Sequence, residues 1–284
     1  MVENSQHLSS DPIGVFDSGV GGLTVLHELL VALPHEDFVY LGDTARFPYG
    51  TRSPDELLAF SLEITDLLLA EKAKLIVVAC NSATAAALEP LEAHLATVAP
   101  GVDVIGVVKP ESQLAVKATH NGRIGLLATP ATVASDAYTR AVKACDPHVK
   151  LFSVPCPDLA PIIQGGFPFD QRVVDTVRSY CEPLRAAEVD TVILGCTHYP
   201  LVRPMLQRSL GRDTKLITSG AAAAARVERA LAVRGLENHQ TDEGDYRFLC
   251  TGDVESFRSL GTNFLQMPLG NVAHVEVVES GARP

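Results

Sequence analysis

The chain is predicted to be an α/β protein of two pseudo-symmetric domains, each built on a parallel sheet, facing one another across a cleft. Three observations carry this. Short β-branched and aliphatic runs alternate with segments whose apolar residues recur every three or four positions, which is βαβ patterning. The run "IGVFDSG" at Ile13 returns as "IGLLATP" at Ile124, an offset of 111 residues. A second pair, "IVVACNS" and "VILGCTH", sets Cys80 and Cys196 116 residues apart, and two offsets so close point to an internal duplication.

In chain order, residues 1–12 form a polar, flexible tail, and "IGVFD" (13–17) is the first strand. The helical pattern "GGLTVLHELLVAL" follows, then a strand in "DFVYLGD" (37–43) and a loop in "GDTARFPYG" (42–50). Ser53 opens the next helix as an N-cap, with Pro54 at its first position and Glu56 three residues after the cap. "KLIVVAC" (74–80) is a strand, "NSATAAALEPLEAHL" is helical, and "DVIGVV" (103–108) is a strand. The second half repeats the plan with strands in 123–129, 149–154 and 190–196. A helix in "SGAAAAARVERALAVRG" and a strand and turn in "DYRFLCTGD" close the pattern. This last segment could fold back onto the first half, a point the pattern leaves open. Phe167 and Phe169 around Pro168 look like a packed loop.

With 46% hydrophobic and 20% charged residues, the composition is that of a globular protein and excludes general disorder. A formal net charge of −11 with no basic cluster argues against nucleic-acid and anionic-membrane partners. The N-terminus lacks a signal-peptide pattern and no run of apolar residues is long enough to span a bilayer, so a cytoplasmic location is expected. In that compartment six cysteines are expected as free thiols. The "GVGG" turn at 19–22 lacks the spacing of a dinucleotide fingerprint, which removes NAD and flavin from consideration.

"LGCTHYP" (194–200) poses the chemical question. An apolar strand ending in a thiol, a hydroxyl and an imidazole could pack, bind a metal or react. A metal would need ligands beyond Cys196 and His198, and no compact second pair lies nearby. If the duplication holds, Cys80 and Cys196 occupy equivalent strand ends and a ligand lies between two thiols. A thiol titrates near ~8.5, and helix N-termini or cations lower it, so a thiolate and a thiol could coexist near neutrality. One could remove a proton from a stereogenic carbon while the other supplies one to the opposite face, which is two-base racemisation or epimerisation. The amides of Asn81 and Ser82 would favour a thiolate and a carboxylate ligand at a helix start. His198 could relay a proton beside Cys196, with Thr197 adding a hydroxyl. A carboxylate on each side would complete the relay, Asp17 being the candidate beside Cys80; Asp17 could equally cap the helix that follows. The Pro48-Tyr49-Gly50 turn could present amides and a phenol. Cys145, Cys156, Cys181 and Cys250 are expected as small buried hydrophobes.

"GVFDSGVGGLTV", "YLGDTARFPYG", "ACNSATA" and "LGCTHYPLV", taken together and in this order, resemble bacterial glutamate racemases, members of the aspartate/glutamate racemase superfamily. The likeness runs from Ile13 to at least Asp253. It implies a cofactor-independent, metal-free enzyme that interconverts L- and D-glutamate for peptidoglycan synthesis. Its active site would lie in the cleft between the domains. Cys80 and Cys196 would be the acid/base pair, assisted by Asp17 and His198. Substrate contacts would come from Asp17, Ser18, Tyr49, Gly50, Asn81, Ser82, Thr197 and His198, with Thr132 a further candidate. The domains would be 1–108 with 217–284, and 109–216. The resemblance also implies a homodimer and admits an interaction with DNA gyrase. Three positions depart from the family: Ser82 replaces a threonine, Gln164 a glutamate, and Glu111-Ser112 a small Gly-Ala pair. Three other readings stay open: an aspartate racemase, a binding protein that kept the fold for a regulatory partner, and a single-thiol hydrolase or decarboxylase.

Overall fold

The computed structural model describes residues 8–166 and 170–277. Phe167, Pro168 and Phe169 lie outside the described residues, as does the tail before Leu8. The remainder of that tail is tied down: Lys74 sends its ammonium to the Ser9 carbonyl and its backbone N–H to Pro12 O at 2.9 Å.

The first half runs β1 (Ile13–Asp17), α1 (Leu23–Ala32), β2 (Phe38–Gly42), α2 (Pro54–Ala70), β3 (Leu75–Val78), α3 (Asn81–Val98) and β4 (Asp103–Gly106). Helix α4 (Val108–Ala118) leads to β5 (Arg123–Ala128), α5 (Pro130–Ala134), α6 (Ala137–Cys145) and β6 (Lys150–Pro155). Then come α7 (Leu159–Gln164), α8 (Gln171–Ala186), β7 (Thr191–Gly195), α9 (Arg203–Leu210) and β8 (Lys215–Ile217). The chain ends in α10 (Ser219–Arg234), β9 (Tyr246–Cys250), α11 (Val254–Leu265) and β10 (Val272–His274).

Two sheets result, and every pairing in both is parallel. The larger has the order β10-β9-β2-β1-β3-β4, the smaller β6-β5-β7-β8. Within each, the order second-first-third-fourth recurs, so β1 corresponds to β5 and β3 to β7. The chain crosses between sheets twice, outward along α4 and back along α10, and β9 then pairs with β2 from Tyr246 beside Phe38 to Cys250 beside Gly42.

Burial explains why the strands lack polar alternation. Ile13 and Val15 face a cluster containing Leu23, Leu26 and Leu29 of α1, whereas Phe16 faces one containing Ile64 and Leu68 of α2 and Ala83 of α3. A strand covered on both faces carries apolar residues at every position. The expected cap at Ser53 forms a full capping box: its hydroxyl accepts from Glu56 N and Glu56 Oε2 accepts from Ser53 N at 2.9 Å. All six cysteines are free thiols, but Cys145 is exposed, contrary to the expected burial. It ends α6, whose buried face is carried by Tyr138 and Val142. Among the described residues no helix is long and apolar enough to cross a membrane.

Candidate active site

In an open parallel sheet ligands gather at the carboxyl ends of strands where the order reverses. Here each sheet reverses beside its first strand, between β1 and β3 in one and between β5 and β7 in the other. The four strand ends meet at one cavity. Ser18 follows β1, Cys80 to Ser82 follow β3, Thr129 follows β5 and Cys196 to His198 follow β7; all of them line it. Tyr49 and Gly50 line it from the loop after β2.

Cys80 is the N-cap of α3, with extended backbone at φ −68° and ψ 120° and no capping hydrogen bond from its side chain. Cys196 follows Gly195, where a Cβ would come within 2.8 Å of Leu126. Burial pushes the Cys80 thiol up to about 12, with the nearby Asp17 acting in the same direction and the amides of Ala83, Ser18 and Ser82 opposing. Cys196 is likewise driven well above the ordinary thiol value by burial, against which the His198 amide works. At both thiols desolvation outweighs the helix amides and favours the protonated form.

Asp17 does not line the cavity. It is fully buried beneath Thr197, whose hydroxyl donates to Asp17 Oδ1 at 3.3 Å, while Gly19 N donates to Oδ2 at 3.2 Å. Burial raises its pKa, and the amides of Gly22, Gly19 and Ser18 with the Thr197 hydroxyl oppose that. Because its charge acts on both Cys80 and Cys196, it is shared between them. The expected second carboxylate is absent from the Cys196 side, where the partner is an amide. His198 Nε2 donates to Gln164 Oε1 at 2.8 Å, leaving Nδ1 bare, 3.8 Å from Cys196 Sγ and 3.5 Å from Thr197 Oγ1. The ring is neutral, since burial lowers its pKa to about 3.

A carboxylate in place of that amide would stabilise imidazolium, so Gln164→Glu raises the His198 pKa from its depressed value. A base is lost below its own pKa. The acidic limb of kcat/KM against pH is therefore expected to move up by about one unit or more in this variant. An unmoved limb would show that the Gln164 bond does not govern His198.

Two expected contacts are built differently. Tyr49 turns its phenol away from the cavity and donates to Asp43 Oδ2, which also accepts from Arg46 Nε at 2.6 Å. Asp43 Oδ1 accepts from the Thr251 hydroxyl at 2.7 Å, so the C-terminal "TGD" segment braces this loop. What Tyr49 and Gly50 offer a ligand is backbone. Thr132 lies behind the lining, in a triangle of hydroxyls with Ser82 at 3.1 Å and Thr129 at 3.0 Å. Ser82 and Thr129 close the triangle at 2.9 Å. Thr129 is a lining residue that sequence reasoning missed, as are Phe47, Thr51, Pro130, Pro157, Ala160 and Pro161. For Thr129 the signal was present, because the 111-residue offset carries Ser18 onto it.

Comparison with known proteins agrees with this architecture. The family model for Asp/Glu/Hydantoin racemases matches residues 17–227. A glutamate racemase from Geobacter metallireducens is 40% identical over 93% of this chain and 96% of its own. The crystal structure of a glutamate racemase isoform from Bacillus anthracis superposes with a TM-score of 0.89 at 36% identity, covering 95% of this chain and 98% of that one. A glutamate racemase from Francisella tularensis, solved in complex with D-glutamate, gives 0.87 at 33% identity over 95% and 99% of the two chains.

Proposed function

The chain belongs to the Asp/Glu/Hydantoin racemase family, and from that membership we propose that it is a glutamate racemase interconverting L- and D-glutamate by proton transfer between Cys80 and Cys196. The observation that carries this reading is that two equivalent strand ends each deliver a thiol to one cavity. A carbon held between them can lose its proton to one sulfur and gain one from the other, which inverts it. No cofactor enters the step, as the resemblance implies.

The α-ammonium of a bound amino acid brings into the site the positive charge that the thiols lack, and a cation beside a thiol favours thiolate. Toward Cys196 the bare Nδ1 of neutral His198 can take the thiol proton; toward Cys80 the buried carboxylate of Asp17 has that part. Once a sulfur has removed the α-proton, the electron pair is held by the adjacent carboxylate. The amides of Asn81 and Ser82 at the start of α3 suit that carboxylate. Ser18, Thr197 and the Tyr49–Gly50 backbone supply further donors around the substrate. Residues 1–108 with 217–284 would act as one domain and 109–216 as the other. The enzyme would work in the cytoplasm as a homodimer, supplying D-glutamate for peptidoglycan.

Incubation with L-glutamate in D2O, following optical rotation and α-proton loss together, tests the reading. Both are expected to change until the mixture is racemic. Aspartate run in parallel tests the substrate, because one methylene is worth only about 1–3 kcal/mol of discrimination. Faster turnover of aspartate reassigns the substrate; no change with either amino acid overturns the enzyme.

A further inference from the structure

Glu111 is a fully buried carboxyl that the reaction described above does not use. It lies in the first turn of α4, the outward crossing between sheets. Its Oε2 accepts from Asn81 Nδ2 at 3.0 Å and from the Tyr138 hydroxyl. Its Oε1 accepts from Ser219 Oγ at 2.8 Å. Ser219 opens α10, the return crossing, and Tyr138 sits on α6 of the second half. One carboxyl thus joins both crossings to the residue that follows Cys80. The glycine that the resemblance leads one to expect at position 111 has no side chain with which to do this.

Asn81 lines the cavity, and its Nδ2 is also 2.7 Å from the Tyr138 oxygen. Among the described residues its Oδ1 has no hydrogen-bond partner, although it is buried. An amide whose nitrogen is held by acceptors on one side presents its oxygen on the other, and an unpaired buried acceptor is costly unless a ligand donor meets it. The α-ammonium of an amino acid is such a donor.

We propose that Glu111 is a positioning residue for the racemisation, fixing the Asn81 side-chain amide so that Oδ1 is held for the substrate ammonium beside Cys80. The role rests on the reading of the cavity as an amino-acid racemase site. Burial pushes the Glu111 carboxyl up to about 8, so at neutral pH it carries a proton that Oε1 can give to the Ser219 hydroxyl by reversing that hydrogen bond, and glutamine is the close mimic of this form. Glutamine keeps an oxygen for Asn81 and Tyr138 and turns its NH2 to the Ser219 hydroxyl, which can accept. Methionine fills similar volume and accepts almost nothing.

The experiment measures kcat and KM for L-glutamate in the wild-type protein, Glu111→Gln, Glu111→Met, Asn81→Ala and the double variant Glu111→Met/Asn81→Ala, with thermal unfolding of each. Glu111→Met is expected to lose about tenfold or more in kcat, and Glu111→Gln to stay within about threefold of wild type. In the Asn81→Ala background the Glu111→Met loss is expected to shrink below about twofold, because the two residues act as one unit. Glu111→Met with wild-type kcat, Glu111→Gln falling as far as Glu111→Met, or a loss undiminished by Asn81→Ala would each overturn the proposal. If Glu111→Met does not fold, Tyr138→Phe carries the same cycle: a loss of about threefold that vanishes in Asn81→Ala supports the coupling, and an additive loss overturns it. A wild-type protein inert toward glutamate and aspartate would sink the proposed function and this role with it. That failure shows before any variant is made.

Discussion

Cys80→Ser and Cys196→Ser are each expected to abolish racemisation, lowering kcat by about a thousandfold or more. The sulfur is needed for its acidity. Burial already lifts the Cys80 thiol to about 12, and the same burial acts on a hydroxyl that starts several units higher. No nearby amide or carboxylate that helps a thiol toward its anion could do the same for serine at neutral pH. The two losses are expected to differ in a telling way. With one sulfur left, a variant can still take the α-proton from the enantiomer that faces it and return a deuteron to the same side. Each variant should therefore exchange the α-proton of one enantiomer slowly without inverting it, and the two variants should choose opposite enantiomers. Proton NMR in D2O, run separately on L- and D-glutamate, reads this directly. Full turnover in either variant would remove the two-thiol mechanism.

How much of this site could be seen in the sequence depended on the range of the interaction. Strands such as β7 are legible because all five residues of "TVILG" are buried, so continuous apolarity marks both the strand and its end at Cys196. The capping box at Ser53 is local and was equally plain. The direction of the Tyr49 phenol was not, because its acceptor Asp43 is held by Thr251, 208 residues away. Strand β10 escaped for the same reason: three residues carry no periodicity, and its pairing to β9 exists only once β9 has joined β2. The thiols' surroundings were only half legible, because sequence shows the helix that begins at Asn81 but not the burial that opposes its amides. Glu111 was visible as a departure, yet its three partners at positions 81, 138 and 219 meet only where the two crossings do.

Gly21→Ala is expected to cost about a hundredfold in kcat, for a reason the "GVGG" run does not disclose. The run lacks the dinucleotide spacing, and Gly19 and Gly21 serve contact between the halves, whereas Gly22 packs on Asp17 and Tyr40. A Cβ on Gly21 would lie 2.4 Å from Thr197 Oγ1 and 2.5 Å from both Cε1 and Nδ1 of His198. These are the atoms that address Asp17 and Cys196. Thr24 fastens the turn from below, donating from one hydroxyl to Gly21 O at 2.9 Å and sharing it with Thr197 O at 3.0 Å, so the turn cannot simply swing away. The added methyl must displace the His198 ring or part the two strand ends, and a shift of about 1 Å in a catalytic group is enough for the predicted loss. Overpacking of this kind costs about 1–3 kcal/mol of stability, a fall of several degrees in Tm for a chain this long, so the protein should still fold. Gly270→Ala is the control, because nothing lies within 4 Å of a Cβ there. Turnover and Tm measured on both variants separate the effects: a folded Gly21→Ala protein with wild-type kcat would mean that the close approach of the β1 turn to His198 has no part in catalysis.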